Sequence, residues 1–78
     1  SERLDAARFG VEAASEQVRI GVLQYENGRT SAFELVRLGG DVAAAQQRYS
    51  RALVRTARAA ALLRQLTGGA YPNEETSQ

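Results

Sequence analysis

The chain has 78 residues, which bounds it to one small domain with a thin core. It contains neither Cys nor His, so a disulfide staple, a Cys/His zinc or haem site and a His-dependent triad are all excluded within it. Ten basic residues, all Arg, stand against nine acidic ones, and the net charge of +1 is too balanced for the footprint of a nucleic-acid binder. No apolar run approaches the length of about 18 residues that a membrane-spanning helix needs.

Ser1-Glu2-Arg3 opens directly into a helical pattern with no signal peptide, which suggests a segment of a longer protein. The first predicted element is a helix over about 3–26. Leu4, Ala7, Val11, Ala14, Val18, Gly21 and Tyr25 alternate three- and four-residue spacings, the coiled-coil heptad. A second stripe runs beside it through Ala6, Phe9, Ala13, Glu16, Ile20 and Leu23. Two stripes imply neighbours on two sides.

Asn27-Gly28, followed by Arg29, Thr30 and Ser31, breaks the pattern and predicts a turn over 27–31. Ser31 with Glu34 three residues later forms a capping-box signature, and opens a second helix over about 32–67. Its heptad is Leu35, Leu38, Val42, Ala45, Tyr49, Ala52, Thr56, Ala59, Leu63 and Leu66. Its second stripe is small: Val36, Ala43, Ser50, Val54, Ala57 and Ala61. Gly39-Gly40 interrupts an otherwise strong helix former, but the heptad stays in phase across it, so one helix is expected with either a weak spot or a hinge there. Gly68 or Gly69 is the expected C-cap, and Tyr71–Gln78 form a polar tail.

The expected fold is therefore all-α: an antiparallel two-helix coiled-coil hairpin over 1–70, associating into a helical bundle. At ~1.5 Å per residue the helices measure about 36 and 54 Å, so the second overhangs the first. Residues at one level of the hairpin have numbers summing to roughly 60. That places Glu12 by Arg48, Asp5 by Arg55 and Glu2 by Arg58, and predicts ion pairs across the hairpin. Arg48, Arg51, Arg55 and Arg58 form one stripe, read as a solvated face, a lumen- or subunit-facing stripe or a nucleic-acid face.

Catalytic chemistry is missing. Ser15, Ser31 and Ser50 have no His to activate them. Glu12 and Glu16 share a helix face, but a charge pair is commoner there than a metal site. Neither Gly pair carries a phosphate-loop pattern. No enzyme activity, metal or cofactor is expected.

The segment from Val22 to Val36 resembles the hairpin tip of TolC-type outer membrane efflux proteins. Their pattern is an aromatic, two variable residues, Gly, two variable residues, Ser or Thr, then a short apolar and acidic run. Tyr25, Gly28, Ser31, Glu34, Leu35 and Val36 fit it. Ala44-Ala45-Gln46-Gln47-Arg48-Tyr49 resembles the family's Ala-Gln stretch, and Leu63, Leu66, Thr67, Gly68 and Gly69 its repeat ending. Where the family commonly has Asp-Ala-Gln, this chain has Arg37-Leu38-Gly39.

The resemblance implies a tunnel-wall hairpin, most similar to the C-terminal repeat, with a lean toward the heavy-metal efflux branch. It implies a homotrimer in the full-length protein, in the outer membrane of a Gram-negative bacterium through segments absent here. The periplasmic tip would dock with a periplasmic adaptor (membrane fusion) protein, itself coupled to an inner-membrane pump. Tyr25, Asn27, Gly28, Arg29, Thr30 and Ser31 would form that docking tip. Glu34 and Arg37 are the gate candidates, through an intersubunit pair. The alternative is a self-associating hairpin module, or an adaptor hairpin, without a channel role. With two apolar stripes per helix, the isolated chain is expected to be a dimer or higher assembly.

Overall fold

A computed structural model describes residues 2–68. Two α-helices, α1 (Glu2–Glu26) and α2 (Ala32–Gly68), run antiparallel as an extended hairpin, and the described residues include no strand. Both helices fall within a residue of their expected bounds. Gly68 is the last helical residue. Gly69 and the tail Tyr71–Gln78 lie outside the described residues.

The heptads are the seam. Leu4, Ala7, Val11, Ala14 and Val18 are half-buried, and Gly21 is buried. Across from them Leu38, Ala45 and Ala52 are buried, with Ala45 only 1% exposed, while Leu35, Val42 and Tyr49 are half-buried. Alanine at alternate positions lets the axes approach, which gains dispersion contacts but buries little area per residue. Approach is tightest at Gly21. A β-carbon there would lie 2.6 Å from Leu38 Cδ1 and 3.2 Å from Leu35 Cδ2. The glycine is thus the hole into which Leu38 fits.

α2 passes unbroken through Gly39-Gly40, and nothing lies within 4 Å of where either β-carbon would sit. The pair is a weak spot in the helix rather than a packing device. Gly10 is equally open.

α2 is twelve residues longer than α1, about 18 Å of helix. The seam heptad therefore runs out of partner: Thr56, Ala59, Leu63 and Leu66 are exposed, Leu66 by 73%. The second stripes are uncovered too, with Phe9 at 62% and Val36 at 74% exposure.

One expectation is overturned. Glu12, Asp5 and Glu2 make no ion pair with Arg48, Arg55 or Arg58. Among the described residues every ion pair runs within one helix: Asp5–Arg8, Glu16–Arg19, Glu34–Arg37 and Arg37–Asp41. Level along the hairpin was read correctly, but direction around each helix was not. Glu2, Asp5 and Glu12 lie on the outer side of α1, roughly 130–180° around the axis from the seam, where α2 cannot reach them.

Candidate functional site at the hairpin tip

α1 ends in a Schellman motif. The Arg29 N–H donates to the Gln24 carbonyl at 2.8 Å, and the Gly28 N–H donates to the Tyr25 carbonyl at 3.0 Å. Gly28 sits at φ +68°, the left-handed region that a β-carbon disfavours. The Asn27 N–H is shared between the Leu23 and Gln24 carbonyls, both at 3.2 Å. Its side-chain Nδ2 adds a bond of 2.8 Å to the Leu23 carbonyl. Four donors thus satisfy the Leu23, Gln24 and Tyr25 carbonyls at the end of α1, which would otherwise need water.

Ser31 caps α2. Its Oγ accepts from the Glu34 N–H at 3.2 Å, and its carbonyl accepts from the Leu35 N–H at 3.3 Å. The reciprocal half of the expected capping box is absent. Instead the Glu34 carboxylate takes two hydrogen bonds from Arg37, Nε to Oε1 at 3.0 Å and Nη2 to Oε2. A bidentate guanidinium outcompetes a single backbone N–H. Arg37 Nη1 also donates to Asp41 Oδ2 at 3.2 Å.

The hydrogen bonds from Arg37, helped by its charge, hold the Glu34 carboxyl below the usual carboxylate range against a partial desolvation. The same bonds push Arg37 further up. The two gate candidates are therefore partners along one turn of one helix. Arg37 is already engaged on both sides by carboxylates of its own chain, which weighs against the expected intersubunit pair.

The turn brings the tip residues together as expected. Tyr25, Asn27, Gly28, Arg29 and Ser31 are exposed and Thr30 is half-buried. Arg29 holds its place through its backbone N–H, and its side chain is free to meet a partner.

One exposed residue beside the turn escaped the sequence reading of the site. Phe33 is 88% exposed, one turn from Val36. With Tyr25 and Leu23, about half exposed, they make the tip apolar as well as rigid. The available signal was that Phe33 belongs to neither stripe of α2, so nothing within the hairpin asks for an aromatic there. The arrangement offers recognition and no bond-making chemistry: among the described residues no cluster of acidic side chains is arranged to hold a metal ion. Among the described residues no helix is long and apolar enough to cross a membrane. No protein-family model, curated protein or solved structure matches the chain.

Proposed function

We propose that the hairpin is a wall element of an outer membrane efflux channel of the TolC type, and that its tip is the periplasmic end that meets an adaptor protein. The observation that carries this reading is a tip that is both rigid and apolar. The Gly28 and Ser31 caps fix the backbone, while Phe33, Val36 and Tyr25 stay exposed on it. Exposed aromatics on a preorganised turn suit docking, because they bury large area at low entropic cost. The uncovered second stripes support a helix with neighbours on both sides.

Substrate choice is assigned to the inner-membrane pump, in keeping with depressions on the described residues that are open and shallow. The full-length protein would act as a homotrimer, with the inner-membrane pump engaged through the adaptor. A self-associating module remains the second reading, favoured by the same uncovered stripes.

The test uses the full-length protein in its own cells. Fractionation should place it in the outer membrane, and loss of the gene should raise sensitivity to exported compounds. Phe33→Ala should leave it in the membrane yet reproduce much of that sensitivity. Recovery of the protein from the cytosol would overturn the channel reading.

A further inference from the structure

The chain has two asparagines, Asn27 and Asn73, and only Asn27 precedes a glycine. Asparagine is chemically labile there, because a glycine N–H is not shielded by any β-carbon. The Gly28 nitrogen is the nucleophile. It gives up its proton and bonds to Asn27 Cγ; the Cγ–Nδ2 bond breaks, and the side-chain nitrogen leaves as ammonia. Water then opens the cyclic imide. Cleavage between Cγ and the Gly28 nitrogen leaves aspartate on an ordinary backbone. Cleavage between the Asn27 carbonyl carbon and that nitrogen leaves isoaspartate, with the chain running through the side chain. Base and water suffice for both steps.

Asn27 and Gly28 are both exposed, so solvent reaches them freely. Yet the nucleophile and the leaving group are each held by a hydrogen bond. The Gly28 N–H donates to the Tyr25 carbonyl at 3.0 Å, which keeps its proton in place. Asn27 Nδ2 donates to the Leu23 carbonyl at 2.8 Å. That bond draws the carboxamide back along α1, away from the peptide that must attack it. The Arg29 N–H on the Gln24 carbonyl, at 2.8 Å, holds the backbone that follows. The bonds that cap α1 are therefore the bonds that restrain the reacting atoms, and the reaction waits on their opening.

We infer that Asn27-Gly28 is a deamidation site kept closed by the folded tip, and that the reaction converts a transient opening of the turn into a lasting one. The product cannot remake the cap. A carboxylate at position 27 has no proton to donate to the Leu23 carbonyl. It also adds negative charge at the C-terminal end of α1, next to Glu26, where the helix carbonyls already point. Isoaspartate lengthens the backbone by one carbon atom, so the Gly28 and Arg29 N–H groups lose their register with the Tyr25 and Gln24 carbonyls. A turn that opens and reacts stays loosened. The site needs no channel, and its failure would leave the docking role of the tip untouched.

The whole chain is held in mildly alkaline buffer, folded in one sample and above its urea transition in another. The tryptic peptide Ile20–Arg29 reports conversion by its mass and by separation of its isoaspartyl form. Conversion should be about tenfold slower or more in the folded chain. Protection of the Gly28 and Arg29 amides against hydrogen exchange reads the opening itself. Ser31→Ala, which uncaps the other side of the turn, should raise opening and conversion together, roughly fivefold. Urea below the transition should raise both in parallel, whatever that variant does to folding. Asn27→Asp, and parent chain enriched in the reacted form, should lose protection at both amides while circular dichroism shows the helices retained. The inference is overturned by equal conversion in folded and unfolded chain, by conversion that stays flat as opening rises, or by a reacted tip as protected as the parent. Absence of conversion in urea would overturn it as well.

Discussion

The tip half and the base half of this hairpin are built from the same residue types but satisfied in opposite ways. Toward the tip, α1 and α2 lie side by side. Leu38 fills the space over Gly21, both helix ends are capped, and charges pair along their own helix. Toward the base, α2 outruns α1, Leu62, Leu63 and Leu66 face outward, and Arg48, Arg51, Arg55 and Arg58 have no counterion among the described residues. At the tip the seam, the caps and the charges are satisfied within one chain, and what stays uncovered is the apolar patch of Phe33 and Val36. The base is complete only against another surface, which is where a lone hairpin of this size is expected to fail first.

The sharpest way to break the contrast is at its strongest contact. Leu38→Ala removes the largest side chain buried in the seam and should cost about 2–4 kcal/mol, enough to abolish the cooperative thermal transition of so thin a fold. If the melting curve barely moves, the seam does not hold the tip. Gly28→Val forces a β-branched residue to φ +68° and should cost about 1–3 kcal/mol in denaturant titration. Ser31→Ala should cost about 1 kcal/mol through the lost cap, and Ser31→Asp should recover most of it.

Smaller effects sharpen the comparison. Gly39→Ala and Gly40→Ala should each add about 0.5–1 kcal/mol, because α2 is continuous and open at both sites. A loss of transport in the full-length protein, alongside that gain, would make the pair a functional hinge. The smallest effect is acid. Glu16 and Glu34 are held below the usual carboxylate range chiefly by hydrogen bonds from Arg19 and Arg37. Their contribution is complete above the pKa of the unfolded chain and is lost as pH falls through the depressed folded value. The melting temperature should dip slightly on acidification below that range. Arg37→Gln with Arg19→Gln should shrink the dip, and salt should weaken it because both pairs are exposed.

Much of the fold was legible because a 3.5-residue period reports directly on which side of a helix is covered. The heptads run from Leu4 to Tyr25 and from Leu35 to Leu66; Leu4 through Gly21 and Leu35 through Ala52 form the seam, while Tyr25 and the positions from Thr56 onward are exposed. The turn was legible because Asn-Gly fits a left-handed cap and Ser fits an N-cap. Less of the site was visible. The Glu34 carboxylate had two suitors at similar distance in sequence, the Ser31 N–H and the Arg37 guanidinium, and spacing cannot rank them. Charge pairs across the hairpin failed for a different reason. Residue numbers give height along two antiparallel helices, but only the angle around each axis decides whether the side chains meet. Phe33 shows the converse limit: a residue outside every stripe is silent in a periodicity search, yet it is the most exposed large apolar side chain described.

The most direct measurement of the tip–base contrast is amide hydrogen exchange followed by mass spectrometry over a series of protein concentrations. Residues 18–25 and 35–45 should be protected alike at every concentration, while residues 53–66 should gain protection only as copies associate. Equal protection of both regions at the lowest concentration, or earlier exchange at the tip than at the base, would contradict a hairpin that is self-sufficient at one end and dependent on a neighbour at the other.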